Sequence, residues 1–388
     1  MYQVLYAGFD TLDIAYRAAL PPEILAQLNE ARDRAETSQK DEPVIIGPAQ
    51  ERLLIKPHGQ RGGFRYVAIN GPTGAIFSIK NDSDPSQWNV FVSVRALCLL
   101  TRGYEETKQW LMKTLIGMGF TITDHSVNRM DYAIDVLAPD FVLDAANFIY
   151  PGQTKARLHW SKETLLEDDG NTPQAVMKNR KFESVTIGKM PNRQVIVYDK
   201  RRASIDLKQP YWFDAWGIAK SDPVARIWRI ELRAGRDALA KLSARHTNRH
   251  LDTIEHLLPN YFYKAAKEIR YVIEPEALSN VSRAELQPLW QTLTRQLATC
   301  PTSSEPALPE ARVLEIIRQQ RRDIALKQGM GNLLNAFALD GNTTEDITQN
   351  LATRTTDAAK SYATELGNKL LHKKVAETIG RLSMLLPR

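Results

Sequence analysis

The first third of the chain alternates short strand-like runs with turns. The runs are rich in β-branched and aromatic residues, and turn signals such as GQRGG and NGPTG separate them. Five strands are predicted in this way, at YQVLY, ERLLIK, FRYVAI, AIFSIK and NVFVSV. Two other stretches have apolar residues at helical spacing and predict helices, PPEILAQLNEARDRAE and YEETKQWLMKTLIGMGF.

The pattern changes twice in the rest of the chain. A strand, VNRMDYAIDVL, and a helix, DFVLDAANFIY, are predicted first. A polar loop at about 161–180 follows, and then the strands ESVTIG, QVIVYD and RIWRIELRA. From Asp237 onward the pattern is helical, and Thr343 or Thr344 is the expected N-cap of the last helix.

The irregular order of strands and helices predicts the fold class. It favours an α+β fold, an antiparallel sheet with helices on one face, over a doubly wound parallel sheet. A chain of 388 residues also favours two domains. We predict an α+β domain over 1–248 and a helical C-terminal region over 249–388, with a linker near 300–312 that its composition marks.

Composition narrows the class of protein. The hydrophobic fraction of 43% and charged fraction of 25% are typical of a soluble globular protein. The sequence has neither an apolar run of about 20 residues nor a signal-peptide pattern, so a cytoplasmic protein without membrane attachment is expected. Cys98 and Cys300 lie far apart, which excludes a disulfide framework and a cysteine-based zinc site and makes each an expected core residue.

Positive charge is concentrated in one segment. Residues 178–249 contain 17 Lys and Arg against 7 Asp and Glu, a net charge of +10 in a chain whose total is +6. Such a block suggests a surface that binds a polyanion such as DNA. The alternative is an ordinary solvated surface.

Two predicted strands carry acids and arginines together on one face. In NRMDYAID and WRIELR the charged residues alternate with apolar ones, so they share the polar face. These charged residues are Arg129, Asp131, Asp135, Arg229, Glu231 and Arg233. Carboxylates can hold a divalent cation and guanidinium groups can grip phosphate oxygens, but a salt-bridged sheet face explains the pattern equally well.

Tyr198 stands at the end of the predicted strand QVIVYD, and the charged residues Asp199, Lys200, Arg201 and Arg202 follow it. A tyrosine phenolate can attack phosphorus when a metal ion or a base lowers its effective pKa. Most tyrosines at strand ends only pack, and that interpretation stays open for Tyr198.

Three stretches, taken in order, resemble blocks of a known family. VNRMDYAIDV, TIGKMPNRQVIVYDK and RIWRIELR are similar to the R-x-D-x-x-x-D, iG…riYdK and W-R-x-E strands of the Rep_trans replication initiation factors. These are rolling-circle initiators of plasmids and phages, together with related relaxases. The N-terminal stretch YAGFDTLDIAY resembles the opening strand of the family, so the resemblance covers about residues 5–245.

The resemblance implies a HUH-endonuclease-like core that nicks one DNA strand through a tyrosine. Carried over by position, Tyr198 matches the nucleophile and Glu231 the acid of the W-R-x-E block, while Asp131 and Asp135 match the acids of the R-x-D strand. The implied cofactor is Mg²⁺ or Mn²⁺, with Asp131 and Glu231 as ligands and Asp135 as a third ligand or a support. The family lacks the His-hydrophobic-His metal pair, as does this chain.

The remaining candidates are cations and histidines. Lys200, Arg129 and Arg229 are expected to hold phosphate oxygens of the reacting group. Further DNA contacts are expected from the basic residues Arg193, Arg201, Arg202 and Arg233. His246 and His250 fall in a predicted helix and are interpreted as surface or DNA-facing residues.

Two positions depart from the family pattern. Ile196 stands where the family usually has arginine two residues before the tyrosine, and Ala203 stands where it often has glutamate five residues after. Arg193, Lys200 or Arg202 are candidates to replace the lost positive charge, and Asp206 the lost acid. The departures motivate an alternative function, a non-catalytic DNA-binding protein on a degenerate Rep-like scaffold.

The leading prediction is a metal-dependent nicking enzyme, a replication initiator or relaxase. It would form a 5′-phosphotyrosine link at a single-stranded or extruded origin site and free a 3′-hydroxyl. A lower-ranked prediction is a regulatory protein that binds RNA or an acidic partner. The sequence leaves open the target site, the plasmid, phage or conjugative role, the oligomeric state, and whether a host helicase docks on the C-terminal helices.

Overall fold

The computed structural model describes residues 2–152, 176–178, 181–246, 248–274, 283–299 and 305–386. Its strands are β1 Gln3–Ala19, β2 Glu42–Ile46, β3 Glu51–Ile55, β4 Phe64–Ile69, β5 Ala75–Lys80, β6 Trp88–Arg95, β7 Thr121–Leu137, β8 Phe148–Ile149, β9 Val176–Lys178, β10 Lys181–Gly188, β11 Arg193–Asp199, β12 Ile227–Gly235 and β13 Arg270–Tyr271. Its helices are α1 Pro22–Ser38, α2 Ala96–Gly117, α3 Lys200–Asp206, α4 Tyr211–Trp216, α5 Arg236–Leu242, α6 Leu251–Glu268, α7 Pro288–Ala298, α8 Glu310–Leu339 and α9 Thr344–Leu382.

Eleven strands form one sheet in the order β2-β3-β4-β5-β6-β1-β7-β12-β11-β10-β9. Neighbouring strands are antiparallel, as the irregular order of strands and helices predicts. The two central strands, β1 and β7, are each 17 residues long and pair along almost their whole length. The predicted α+β class with a helical C-terminal region is confirmed.

One face of the sheet forms the hydrophobic core under α1, α2, α6 and α7. Alternate residues of the strands point to this face, so the apolar half of each alternating run is buried. Buried members include Leu12, Ile14 and Tyr16 of β1, Met130, Tyr132 and Ile134 of β7, and Ile230 and Leu232 of β12. Cys98 of α2 is also fully buried, as expected. The short helix α4 lies on the opposite face, where Trp212 packs against Tyr6.

The predicted helix over DFVLDAANFIY is wrong. The stretch holds one 3-10 turn, Ala145–Asn147, followed by the two-residue strand β8. Asp144 begins the turn, because its side chain accepts a hydrogen bond from the backbone N–H of Ala146 and so competes with continued helix. Phe141 and Phe148 pack against Tyr271 instead of forming one face of a helix.

Two other sequence interpretations need correction. The edge strand β2 was not predicted, since its sequence EPVII contains a proline that weakens the strand signal and is tolerated at a sheet edge. His246 and His250 lie outside the helices, in a turn and at the N-cap of α6. His250 is half-buried, its ring stacks on His125 with centroids 4.5 Å apart, and its Nε2 lies 2.9 Å from Asp124 Oδ1.

The sheet core continues beyond the predicted domain boundary at residue 248. Leu258 and Phe262 of α6 and Trp290 of α7 are buried in the same hydrophobic cluster as the central strands. The helices α8 and α9 follow, joined by a short turn, and Thr343 caps α9 by accepting a hydrogen bond from the N–H of Asp346. Within the described parts of the chain, no helix is both long and apolar enough to cross a membrane.

Candidate functional site

The polar face of three neighbouring strands carries the predicted site residues in register. Residues that pair directly across antiparallel strands point to the same face, so each row of partners is a row of neighbours. One row is Tyr198, Arg229 and Asp135, the next is Ile196, Glu231 and Ala133, and the third is Gln194, Arg233 and Asp131. The acid-and-arginine faces predicted for VNRMDYAIDVL and RIWRIELRA therefore form one continuous surface.

Tyr198 and Glu231 are directly bonded. The Tyr198 hydroxyl donates a hydrogen bond to Glu231 Oε1 at 2.8 Å, and both side chains are buried, with Tyr198 8% exposed. Burial, together with the negative charge of Glu231, holds the pKa of Tyr198 well above its ordinary value. Burial acts to raise the pKa of Glu231 too, but the charges of Arg233 and Arg229 outweigh it and bring this pKa to about 2. The phenol is therefore protonated and faces an ionised acceptor.

Arg229 is the buried centre of the site. Its Nε and Nη2 donate to the two oxygens of Asp135 at 2.5 and 2.8 Å, and its Nη1 donates to Asp10 Oδ1 at 2.6 Å. The guanidinium also lies 4.2 Å from the ring centroid of Trp212, while the indole of Trp216 donates to Asp135 Oδ2 at 2.8 Å. With 1% of its side chain exposed, Arg229 would contact a phosphate only after these ion pairs open.

Arg129 and Arg233 occupy the more accessible end of the same face. Arg129 Nη2 lies 2.7 Å from Asp131 Oδ2, and Arg233 Nη2 lies 2.8 Å from Glu231 Oε2. Arg233 Nε is also 3.6 Å from Asp131 Oδ2, so the two acids share one guanidinium. The Arg129 and Arg233 side chains are 15% and 18% exposed, whereas the Asp131 side chain is 1% exposed. These two arginines are thus the site cations nearest to solvent.

Lys200 stands two residues after the tyrosine, at the first position of α3, because β11 leads straight into that helix. Asp199 caps this helix, since its side chain accepts a hydrogen bond from the N–H of Arg202 at 2.8 Å. The cap turns Lys200 inward, where its Nζ lies 4.5 Å from the Trp212 ring centroid and 5.8 Å from that of Tyr198. Burial, reinforced by the neighbouring charge of Arg229, lowers the pKa of Lys200 to about 8.

Asp10 belongs to the site but was missed from the sequence. It sits in β1 where the pairing with β7 shifts between Phe9 and Thr11, so it is the extra residue of a bulge. The ion pair with Arg229 brings it into the site, and burial raises its pKa in spite of that arginine. The available signal was an acid inside the strand-like stretch YAGFDTLDIAY, but a bulge cannot be located from alternation alone.

The two departures from the family pattern lie together in space. Ile196 and Ala203 form one small hydrophobic cluster with Tyr198, and all three are at most 8% exposed. The structure therefore places both residues against the tyrosine as apolar contacts.

Three of the predicted DNA-binding arginines make other contacts. Arg193 pairs with Glu268 at 2.7 Å, and Arg201 Nη2 donates to backbone carbonyls of the loop that follows α4, at Lys220 and Asp222. Arg202 pairs with Asp206 one helical turn away, and both side chains are about half exposed. Of these three, Arg202 is the one presented to solvent.

The predicted metal ligands do not fit a divalent cation in this arrangement. All six oxygens of Asp131, Asp135 and Glu231 accept hydrogen bonds from arginine, tryptophan or tyrosine side chains. The guanidinium groups of Arg129, Arg229 and Arg233 donate most of these hydrogen bonds. Over the described residues, no group of three or more His, Cys, Asp and Glu side chains is arranged to hold a metal ion.

Comparison with known proteins adds distant likenesses to solved structures. No protein-family model matches the chain, and no curated protein matches it. A solved structure of a rolling circle replication initiator protein from Geobacillus stearothermophilus is similar over 77% of this chain and 98% of that chain, with 12% sequence identity and a TM-score of 0.38. A likeness at this level does not by itself establish a shared fold or activity.

Proposed function

We propose that this protein is a DNA-nicking enzyme, a replication initiator or relaxase, in which Tyr198 forms a 5′-phosphotyrosine link. The observation that carries the proposal is the hydrogen bond from the Tyr198 hydroxyl to Glu231, 2.8 Å long, on a face lined by arginines. A nucleophile within hydrogen-bond reach of a base is the arrangement that activates hydroxyl groups. The ordered resemblance of the three strands to Rep_trans blocks supports the same activity.

The proposed step is an in-line displacement at a backbone phosphate. Tyr198 Oη attacks the phosphorus and its proton passes to Glu231, while the bond from phosphorus to the 3′-oxygen breaks. The 3′-oxygen takes a proton from Lys200, which then regains one from water. Arg129 and Arg233 stabilise the negative charge that develops on the phosphoryl oxygens. Arg229 acts as a positioning residue, since it pairs with Tyr198 across β11 and β12 and holds Asp135 and Asp10 by ion pairs.

Dependence on Mg²⁺ or Mn²⁺ stays a prediction. The arginine-bound state of Asp131, Asp135 and Glu231 disfavours it, and the step above needs no metal ion. Assays with added Mn²⁺ and with chelator measure this dependence separately from the role of Tyr198.

The deciding experiment looks for a covalent protein–DNA adduct. Wild-type protein and Tyr198→Phe are incubated with supercoiled and single-stranded DNA that carries the cognate origin, and adducts are separated by denaturing electrophoresis. We expect an adduct with wild type and none with Tyr198→Phe, which keeps the ring but removes the nucleophile. Tyr16→Phe, a buried tyrosine on the core face, is the matched control and should form the adduct normally.

Replacing the proposed base separates its role from binding. Glu231→Gln keeps the shape but removes the charge, and we expect nicking to fall by about 10² to 10⁴-fold, in the range for loss of a general base. Filter binding should give an unchanged DNA affinity. Equal nicking by Glu231→Gln and wild type would contradict the assignment.

A second function is favoured by the burial of the tyrosine. Tyr198 is buried and the pKa of its hydroxyl is raised, so a DNA-binding protein without chemistry fits the same arrangement of residues. This function predicts that wild type binds origin DNA and forms no adduct on any cognate substrate. Tyr198→Phe would then change neither binding nor its salt dependence.

A further inference from the structure

The last part of α9 and the residues after it present an apolar stripe to solvent. Val375, Ile379, Leu382 and Leu386 are 49%, 53%, 38% and 40% exposed, and Leu371 before them is half-buried. The spacings of four, four and three residues from Leu371 to Leu382 place these four within an arc of about 80° on α9, and Leu386 follows in the turns after the helix. An arc this narrow is typical of a coiled-coil seam, and Val375 and Ile379 on it stay about half exposed in the part of the chain that the structure describes.

The opposite side of the segment is attached to the body of the protein. Leu385 packs with Val313 and Ile317 at the start of α8, and its backbone carbonyl accepts a hydrogen bond from Arg318 Nε at 2.9 Å. Gly380 lies against Pro43 of β2, so closely that a methyl group added to the glycine would stand 3.6 Å from the proline ring. The segment is therefore held in place on one side while its stripe faces outward.

Charge around the stripe identifies the chemistry of a partner. Residues 369–386 contain four basic residues and one acid. Lys374 and Arg381 flank one edge of the stripe and Lys369 lies toward the other, whereas Lys373 and Glu377 lie on the far side of the helix. A helix with apolar residues at a and d and acids at the flanking positions would bury the stripe and pair with these cations.

We propose that residues 369–386 are a docking site for an acidic amphipathic helix of a partner protein. A second copy of this segment fits poorly, because it would bring two strongly basic helices together. A nucleic acid backbone would leave the aliphatic stripe uncovered. A membrane surface is less suited to it, since the segment has no aromatic residue and its apolar arc is narrow.

The test uses a synthetic peptide as a probe. A fluorescein-labelled peptide of four heptads, with Leu and Ile at a and d and Glu at e and g, is titrated with the full-length protein, and anisotropy is recorded. We expect saturable binding that weakens with salt, and a loss of at least about tenfold in affinity in Val375→Ser/Ile379→Ser. Leu339→Ser is the matched control, since this leucine is 88% exposed on α8 outside the segment and should not affect binding.

A charge reversal provides a second measurement that does not depend on the apolar stripe. Lys374→Glu/Arg381→Glu should lose affinity for the acidic peptide and gain affinity for the same peptide with Lys in place of Glu. The circular dichroism spectrum should be unchanged, because the Lys374 side chain is exposed and the Arg381 side chain is only partly buried.

Three outcomes would overturn the proposal. Wild type fails to bind the acidic peptide, or binds it no better than Val375→Ser/Ile379→Ser does. Wild type binds vesicles of phosphatidylserine and phosphatidylcholine through this stripe and ignores the peptide, which makes a membrane the partner. Light scattering detects a dimer of the wild type that is lost in Val375→Ser/Ile379→Ser, which makes a second copy the occupant.

Discussion

Arg229 is the residue on which the polar face of the sheet depends. Three carboxylate contacts and the ring of Trp212 surround a guanidinium that has almost no exposure. Such a group is stable only while its partners remain, because an unpaired charge in the interior is costly. Its neighbours Asp135 and Asp10 depend on it in the same way.

Removing the guanidinium should therefore destabilise the whole protein. We expect Arg229→Met to lower the free energy of unfolding by about 3 to 5 kcal/mol, since Asp135 is left buried without its charge partner. This loss is measured by urea unfolding, with circular dichroism as the signal. Arg202→Met breaks a half-exposed ion pair with Asp206 and should cost only about 0.3 to 0.5 kcal/mol. Similar losses in the two variants would contradict the role given to Arg229.

Lys200 gives the site a measurable pH dependence. Its pKa is about 8 in the folded protein against 10.5 for an ordinary lysine, so between these values the unfolded chain binds more protons than the folded one. Stability contributed by this group therefore rises as pH increases from about 8 to about 10.5. Lys200→Met removes this contribution. From pH 8 to pH 10.5 the free energy of unfolding should therefore increase less, or decrease more, in the variant than in the wild type. Identical pH dependence in both proteins would contradict the depressed pKa.

At the scale of elements, the β10–β11 hairpin and the start of α3 set the position of Tyr198. Gly188 ends β10 with φ +94° and pairs with Gln194 on the next strand. A side chain there would meet the carbonyl oxygen of Arg193 at 2.1 Å. The glycine is thus required by the close approach of the two strands as well as by its backbone angle.

A substitution at this glycine should disturb both stability and the site. Gly188→Ala combines a left-handed backbone, worth about 1 to 2 kcal/mol, with a backbone clash, so we expect a loss above about 2 kcal/mol and reduced adduct formation. Gly217→Ala is the matched control, because Gly217 has φ +64° and open space around it. Its free energy of unfolding should fall only by the cost of the left-handed backbone. Thermal unfolding and the adduct assay together distinguish the two variants.

At the scale of the whole molecule, the basic segment builds one end of the sheet. The strands β10, β11 and β12 and the helices α3, α4 and α5 all come from residues 178–249, so its excess of positive charge is concentrated beside the site. A long anionic strand would be attracted to this end, and the attraction would be screened by salt.

DNA affinity should accordingly fall steeply with salt. If Arg202 contacts a phosphate, Arg202→Gln should reduce the slope of log K against log salt by about 0.7 on single-stranded DNA. Arg34→Gln, an exposed arginine on α1, lies outside the basic segment and should leave the slope unchanged. Fluorescence anisotropy at several salt concentrations gives both slopes. An unchanged slope in Arg202→Gln would remove this residue from the DNA contacts.

The sequence by itself determined the strands of the sheet and which of their residues share a face. Alternation is a local property, so Asp131 with Asp135, and Arg229 with Glu231, follow from their spacing. The stretch at 140–150 was predicted wrongly because Asp144 and the packing of Phe141 and Phe148 override its helical spacing.

Only the tertiary structure decided what these side chains contact. Asp10 reaches Arg229 across 219 residues of sequence, and Trp212 covers the guanidinium from a different element. Sheet register and the bulge in β1 pair each carboxylate with an arginine. From the sequence alone, such a salt-bridged face could not be distinguished from a metal site. The same packing places Ile196 and Ala203 against Tyr198, because the turn from β11 into α3 brings a strand residue and a helix residue to the same side chain.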